Sequence, residues 1–285
     1  MADIKPELLK ELRERTGAGL MDCKKALIEA DGDIEKAVEI LRKMGIAKSE
    51  KKLTKEARQG LVASYLSEDR KLGILVELNC ETDFVSATDD FKKLLNEILN
   101  AIKTYRPKTI DEAKLIKLDT GDTIEDAIKL LISKVGENII LRRFSIFESK
   151  NGFIEIYVHP GSMLASMVEI EPHDEKLYQF SRDIAMQIAA MSAISISEED
   201  MPKDILEREK EIYREQAIKE GKPEKVIDKI VEGKIKAFLS EKVLLNQQFI
   251  KDNTKSVLEY KKEVESSLNL SVNILRFVRY KVGEE

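Results

Sequence analysis

A short polar segment after an apolar run carries the residues of this sequence that are best suited to contact another protein. Residues 77–91 read ELNCETDFVSATDDF and include Thr82, Asp83, Phe84 and Val85. An aromatic ring on a loop can fill a pocket in a partner, and an adjacent carboxylate can engage its amides or cations. The alternative is structural: Thr82 begins the next helix while Phe84 and Val85 fold back onto the core. The pattern alone leaves both interpretations open.

The remaining residues include few that could form a catalytic site. The sequence has no glycine-rich phosphate loop, no HExxH and no GxSxG motif. Only His159 and His173 are available as histidine ligands, and Cys23 and Cys80 are isolated rather than paired as CxxC. We therefore expect two reduced, buried thiols, no metal, no cofactor and no catalytic residue. A binding protein is the favoured class, whereas an enzyme would need a polar pocket that this sequence does not reveal.

The charge balance argues against a nucleic-acid partner. Lys and Arg number 48 against 53 Asp and Glu, which leaves a formal net charge of -5 with both signs interspersed. A nucleic-acid binder that relies on a basic face needs a local excess of positive charge. No run approaches the roughly 18 apolar residues of a membrane helix, and the N-terminus has no apolar signal core. We expect a cytoplasmic protein with neither a nucleic-acid nor a membrane partner.

Helical periodicity dominates the N-terminal section. Apolar residues recur at spacings of three and four in three groups, which are Leu8, Leu9 and Leu12, then Cys23, Ala26 and Leu27, then Ile34, Ala37, Val38 and Leu41. Asp33 is placed to cap the third helix. The basic stretch 48–55 is too polar to have a core of its own and predicts a linker. These residues predict a three-helix domain.

Strand patterns follow the linker. Residues 61–66 and 72–78 are rich in strand formers and predict a β-hairpin. Helices are expected at about 90–103 and 123–135, and a strand at 139–147 closes the unit. The product is an antiparallel sheet covered by helices.

The same unit recurs 92 residues later. Without a gap, five residues are identical between the two copies: Gly60, Tyr65, Leu72, Val76 and Glu77 match Gly152, Tyr157, Leu164, Val168 and Glu169. The helical sequence EKLYQFSRDIAMQIAAM follows the second hairpin, and residues 273–282 resemble the strand at 139–147. We interpret the pattern as an internal duplication, with coincidence as the alternative.

Two charged helical stretches interrupt the second copy. Residues 203–219 and 223–242 predict an antiparallel helical hairpin. Its predicted seam consists of Ile205, Ile212, Val226, Ile227, Ile230 and Phe238. Gly233 within the second helix suggests a close approach of the two helices, because glycine there costs about 0.5–1 kcal/mol against alanine. The arm is either a solvated projection or a contact element for another chain.

The fold class that these patterns predict is α+β. An N-terminal three-helix domain precedes two related subdomains of antiparallel sheet plus helices, with the helical hairpin inserted in the second. We expect residues 1–52 to form the three-helix domain and its linker, 53–147 subdomain N, and 148–285 subdomain C. The hairpin arm occupies about 203–242.

Five segments of the chain stand out in order: residues 12–27 (LRERTGAGLMDCKKAL), 77–85 (ELNCETDFV), 136–138 (GEN), 185–190 (AMQIAA) and 221–233 (GKPEKVIDKIVEG). Through these segments the chain resembles the elongation factor Ts family, the bacterial guanine-nucleotide exchange factors of elongation factor Tu. The resemblance covers essentially the whole sequence.

For the N-terminal domain, the resemblance implies a ubiquitin-associated-like (UBA-like) fold. It also implies docking on the G domain of elongation factor Tu through Arg13, Leu20, Met21 and Lys24. The hairpin arm or subdomain C would support a homodimer in members that dimerise. Some members continue into a further C-terminal helix that also touches elongation factor Tu, and we expect that contact to be missing here.

For the two subdomains, the resemblance implies an exchange device with no covalent chemistry of its own. The loop formed by Thr82, Asp83, Phe84 and Val85 would enter the G domain near its magnesium site, with the acid and the ring as the intruding groups. His159 would contact the third domain of elongation factor Tu, although proline follows it where the family commonly has glycine. A non-catalytic adaptor, which uses the three helices to bind ubiquitin-like or nascent-chain partners, remains the second hypothesis.

Overall fold

The structure is a computed structural model that describes residues 5–49 and 55–284. Within these residues the fold is α+β, with N-terminal helices followed by antiparallel sheets, as predicted. Residues 50–54 of the predicted linker lie outside the described part. Lys48 and Ser49, which we placed in the linker, belong to the third helix instead. The helix therefore runs further than its apolar periodicity indicates.

Three amphipathic helices form the N-terminal part of the described chain. They are α1 (Pro6–Thr16), α2 (Leu20–Glu29) and α3 (Ile34–Ser49). The side chain of Asp33 accepts a hydrogen bond from the backbone N–H of Lys36 at 3.1 Å, which confirms the predicted cap. Their apolar faces share a small core made of Leu12, Cys23, Ala26, Leu27, Ala30, Ala37 and Leu41.

The first sheet is antiparallel in the order β1–β2–β3 and is covered by helices. Its elements are β1 (Gln59–Leu66), β2 (Leu72–Cys80), α4 (Asp83–Ala87), α5 (Asp89–Tyr105), α6 (Ile110–Lys114), α7 (Ile124–Val135) and β3 (Ile139–Glu148). The central strand β2 is buried on both faces, which accounts for its nearly continuous apolar sequence. One face packs against α5 and α7 in a large apolar core.

The second sheet has the order β4–β5–β8 and a similar helical cover. The elements of this half are β4 (Phe153–Val158), β5 (Leu164–Glu171), α8 (Tyr178–Met191), α9 (Lys203–Lys219), α10 (Glu224–Lys242), β6 (Gln248–Phe249), β7 (Asp252–Ser256), α11 (Val257–Leu268) and β8 (Asn273–Lys281). The five-residue helix α6, the twelve-residue helix α11 and the ribbon β6–β7 are absent from our predictions.

The internal duplication is visible in the pairing of the strands. β4 pairs with β5 in the register of β1 with β2, shifted by 92 positions. The third strand of each sheet slips by one residue at the equivalent place, after Glu77 and after Glu169. Gly60 and Gly152 are also equivalent, since a Cβ on either would lie 2.2 Å from a carbonyl oxygen of the neighbouring strand. Coincidence would not reproduce these details, so the duplication is confirmed.

The two sheets pack against each other through the faces that their helices leave free. Their shared core consists of Val62, Leu75, Phe147, Ile154, Ile156, Ala165, Met167, Tyr280 and Val282. At Gly73 the sheets approach so closely that a Cβ would lie 2.6 Å from the side chains of Ile154 and Met167. The molecule is therefore layered, with helices outside and two sheets inside.

The helical hairpin α9–α10 forms as predicted, but its seam differs. Ala217, Ile227 and Val231 are buried, and Tyr213, Ile230 and Ile235 pack against them. No heavy atom lies within 4 Å of a Cβ built at Gly233, so the close approach that we assigned to this glycine is wrong. Ile212 and Val226, predicted in the seam, are exposed.

Candidate functional site

The segment that contains Phe84 is a short helix rather than a loop, and its first turn is braced. Thr82 is the N-cap of α4, and its hydroxyl oxygen accepts from the backbone N–H of Val85 at 3.5 Å. The backbone N–H and the hydroxyl of Thr82 both donate to the carboxylate of Glu137, at 3.0 and 2.8 Å. Charge-assisted bonds of this kind are stronger than neutral ones, so Glu137 fixes the start of the helix.

The orientation of α4 separates two neighbouring apolar side chains. Val85 is 7% exposed and belongs to the core of the first sheet, whereas Phe84 is 82% exposed and Asp83 points to solvent beside it. The structural interpretation is thus correct for Thr82 and Val85 and wrong for Phe84. A buried valine and a capped first turn hold an exposed ring and an exposed carboxylate in a defined position.

A second set of hydrogen bonds ties the neighbouring residues to the chain that enters β1. Glu81 accepts from the backbone N–H of Asn138 at 2.7 Å and from the ammonium of Lys55 at 2.8 Å. The amide of Asn138 donates in turn to the carbonyl of Lys55 at 2.6 Å. The segments 77–85 and 136–138, which we selected only for their resemblance to a family, therefore meet in space. Sequence analysis selected the segments that contain Glu81 and Glu137 but gave neither carboxylate a role, because the contacts between the two segments join residues 55 and 57 positions apart.

Cys80 completes the support beneath α4. The thiol is buried and donates to the carbonyl oxygen of Thr82 at 3.0 Å. Burial, together with the negative charge of Glu137, raises the pKa of Cys80 to about 11. The thiol is therefore protonated at neutral pH and acts as a hydrogen-bond donor. Cys23 is also buried and free, as predicted.

The four predicted contact residues of the N-terminal helices are all exposed. Leu20 and Met21 begin α2 and are 51% and 64% exposed, although their neighbour Cys23 lies in the core. Arg13 on α1 and Lys24 on α2 are also exposed. Two adjacent exposed apolar side chains at a helix start form a surface on which another protein could dock.

His159 lies in the exposed turn between β4 and β5. Its Nδ1 is 2.8 Å from the hydroxyl oxygen of Tyr157, and its backbone N–H donates to Leu164. The guanidinium of Arg182 lies over the Tyr157 ring at 5.0 Å. The ring of His159 pairs with a phenol rather than with a carboxylate, so its arrangement suits a contact residue better than a general base.

The candidate residues occupy four elements and do not converge on one cleft. They lie on α1 and α2, on α4, and on the turn between β4 and β5. Across residues 5–49 and 55–284, no group of three or more His, Cys, Asp or Glu side chains is arranged to hold a metal ion. Over the same ranges, no helix is both long and apolar enough to cross a bilayer. The candidate residues are therefore distributed over separate parts of the surface.

The fold defines a class, namely α+β proteins with duplicated sheets, an N-terminal helical unit and a helical arm. The family model for elongation factor Ts matches residues 81–284. Elongation factor Ts of Clostridium perfringens is 42% identical over 283 residues, which cover 99% of this chain and 93% of that protein. The Chloroherpeton thalassium and Aquifex aeolicus proteins of the same name are 42% and 44% identical, and the alignments cover 100% and 98% of both chains. The chain therefore belongs to the elongation factor Ts family.

Proposed function

We propose that this chain binds elongation factor Tu in its GDP-bound form and promotes release of GDP, so that GTP can be loaded. The observation that carries the proposal is the exposure of Phe84 on a helix whose first turn is braced by Glu137 and whose next residue is anchored in the core. Water disfavours an exposed phenylalanine ring, and a partner pocket relieves that cost. Asp83 and Phe84 would enter the G domain and displace the groups that hold magnesium at the GDP phosphates, supported by Thr82 and Val85 from below.

The free energy needed for nucleotide release requires more than one contact with elongation factor Tu. Weakening nucleotide binding by about 10⁴-fold needs a coupling free energy of about 5.5 kcal/mol. Burial of one phenylalanine supplies roughly 1.5–3 kcal/mol, so the ring alone is insufficient. The remainder must come from lost magnesium contacts and from docking elsewhere. By thermodynamic reciprocity, GDP must weaken binding of this chain to elongation factor Tu by the same factor.

The additional docking would use both ends of the molecule. In this proposal the three N-terminal helices adopt a UBA-like arrangement and hold the G domain through Arg13, Leu20, Met21 and Lys24, all of which are exposed. His159 would contact the third domain of elongation factor Tu from the opposite sheet. The boundaries after residues 52 and 147 belong to the same proposal. We propose a cytoplasmic protein that needs no nucleic acid, membrane, metal or cofactor.

A homodimer through the hairpin arm or subdomain C is a separate part of the proposal. Ile218 and Val226 near the tip of the arm are 58% and 39% exposed, and they could pack against a second copy. Sedimentation of the wild type and of an Ile218→Lys/Val226→Lys variant tests this idea. A wild type that sediments as a monomer at high concentration contradicts it.

The principal test is release of a fluorescent GDP from elongation factor Tu in excess unlabelled GDP and magnesium. We expect the wild type to accelerate release in substoichiometric amounts, and Phe84→Ala to slow release more than it weakens assembly. The Asp83→Ala/Phe84→Ala variant should be slower still. Tyr105→Ala is the matched control, because Tyr105 is another exposed aromatic residue on the first sheet's helical cover. Equal losses of exchange and assembly for Phe84→Ala would contradict a role of Phe84 that is specific to nucleotide release.

The adaptor hypothesis predicts a different result. Deletion of residues 1–52 abolishes partner binding if the three helices are the whole binding site, but it leaves some exchange if Asp83 and Phe84 act on the nucleotide site. If the wild type forms a complex with elongation factor Tu without changing the rate of GDP release, α4 is a structural element and the adaptor hypothesis is favoured.

A further inference from the structure

The packing of the two sheets includes an arginine that reaches from one sheet to the other. Arg143 on β3 pairs through Nε with Glu77 of β2 at 2.7 Å, and Glu77 is fully buried. Its guanidinium lies over the ring of Tyr280 on β8 at 4.4 Å, and Nη2 donates to the carbonyl of Lys281 at 3.3 Å. One side chain thus holds the central strand of the first sheet and the last strand of the second.

The duplication supplies the reciprocal contact. Arg276 on β8 pairs through Nε with Glu169 of β5 at 2.6 Å, lies over the ring of Phe147 on β3 at 4.1 Å, and donates from Nη2 to the carbonyl of Glu148 at 3.1 Å. Every partner of Arg276 is the duplicated counterpart of a partner of Arg143. The two arginines therefore cross between the sheets in opposite directions.

The region where the two sheets pack, which we call the sheet junction, also contains backbone hydrogen bonds to the turn that carries His159. The N–H of Val62 on β1 donates to the carbonyl of Ser162 at 2.7 Å, and its counterpart Ile154 donates to the carbonyl of Arg70 at 2.8 Å. Ser162 itself donates from its N–H to the carbonyl of His159 at 2.9 Å. The position of His159 relative to the first sheet is therefore set within this junction.

The contacts that Arg143 and Arg276 make between the two sheets require arginine at both positions. Glu77 and Glu169 are buried carboxylates, and a buried charge is tolerated only when it is paired. A lysine could supply the pairing charge, but its ammonium is a compact point charge. The planar guanidinium can pair with the carboxylate, stack on a ring and donate to a carbonyl at the same time. A rotation or slide of one sheet over the other would break both sets of contacts.

We propose that Arg143 and Arg276 are paired positioning residues that fix the orientation of the two sheets and so the separation of α4 from the turn between β4 and β5. The inference rests on the proposed function, in which Phe84 and His159 engage one partner together. Without the crossed arginines each contact point still docks, but the two no longer match the partner simultaneously.

A distance measurement tests the positioning without any partner. Spin labels are attached at Ala87→Cys on α4 and Pro160→Cys beside His159, since both sites are exposed while Cys23 and Cys80 are buried. Arg143→Lys, Arg276→Lys and the double variant retain a cation for each glutamate but lose the planar contacts. Arg142→Lys is the matched control, because Arg142 is exposed on the same strand. We expect a wider distance distribution in the double variant and an unchanged one in the control.

Exchange kinetics with the unlabelled variants provide the functional measurement. We expect the maximal rate of GDP release in the double lysine variant to fall roughly tenfold, less than the roughly 10²-fold that a misplacement of about 1 Å can cost, while the half-saturating concentration changes less. Equal wild-type and variant distance distributions would overturn the inference, and so would proportional losses of rate and affinity. If the wild type fails to stimulate release, the proposed function is wrong, and the distance measurement still decides whether the arginines orient the sheets.

Discussion

At the scale of single residues, Glu137 is the group that most directly sustains the exposure of Phe84. Its carboxylate receives two donors from Thr82, one from the backbone and one from the hydroxyl. We expect Glu137→Gln to lower the free energy of unfolding by about 1–3 kcal/mol, because the amide has one acceptor oxygen and leaves a donor unpaired. Urea denaturation measures this loss, and GDP release from elongation factor Tu should slow with it.

The control for that change is another glutamate without such a role. Glu68→Gln alters an exposed carboxylate in the turn between β1 and β2 and should shift stability by less than about 0.5 kcal/mol. Wild-type stability and exchange in Glu137→Gln would show that α4 does not depend on its hydrogen bonds to this carboxylate.

Sequence analysis could identify Phe84 by its type and setting. It could not find the role of Glu137, because the contact joins residues 55 positions apart.

At the scale of elements, α4 and α5 begin with equivalent threonine caps, which allows local stability to be separated from function. Thr82 caps α4, and Thr88 accepts from the backbone N–H of Phe91 at 3.3 Å to cap α5. Thr82→Ala and Thr88→Ala should each cost about 0.5–2 kcal/mol of stability, measured by urea denaturation. Only Thr82→Ala should slow GDP release beyond its effect on the folded fraction.

The conservative variant sharpens this comparison. Thr82→Ser keeps the hydroxyl that caps the helix and donates to Glu137, so exchange should return close to the wild-type rate. Equal exchange rates for Thr82→Ala and Thr88→Ala would mean that the cap of α4 contributes stability alone.

The predictability of elements followed the strength of their local pattern. The helix α7 and the strand β3 were located within one residue at each end, since both have clear periodicity and clear boundaries. The hairpin arm was also located, but of its predicted seam only Ile227 and Ile230 lie in the observed apolar cluster. In each charged helix, several faces carry a similar number of apolar residues. Which of these faces is buried is evident only from the packing around Ala217, Ile227 and Val231. The short α6 and the ribbon β6–β7 are too brief to produce a periodic signal.

At the scale of the whole molecule, the sheet packing combines an element that sequence can predict with one that it cannot. Five identities at a spacing of 92 residues revealed the duplication. The orientation of the copies depends on contacts such as Arg143 with Tyr280, which join residues 137 positions apart and leave no local pattern. A close approach such as that at Gly73 is likewise evident only once both sheets are in place.

Two buried groups, Cys80 beneath α4 and Tyr280 between the sheets, predict how the stability of the folded state changes at alkaline pH. Burial raises the pKa of Cys80 from 9.0 to about 11 and that of Tyr280 from 10.0 to about 12. Both groups are neutral when protonated, so the folded state binds these protons more tightly than the unfolded state. Their contribution is complete below pH 9 and is lost as pH rises through 9–11 for the thiol and 10–12 for the phenol, at most roughly 2–3 kcal/mol for each.

Urea denaturation at intervals from pH 8 to pH 12 measures this loss. Cys80→Ala should remove the part of the slope between pH 9 and 11, and Tyr280→Phe the part between pH 10 and 12, because neither replacement has a proton to lose. The two effects should add, since Cys80 lies in the core beneath α4 and Tyr280 in the core between the sheets. A free energy of unfolding that stays constant from pH 8 to pH 12 in the wild type would contradict the argument, because it would require both groups to titrate alike in the folded and unfolded chains.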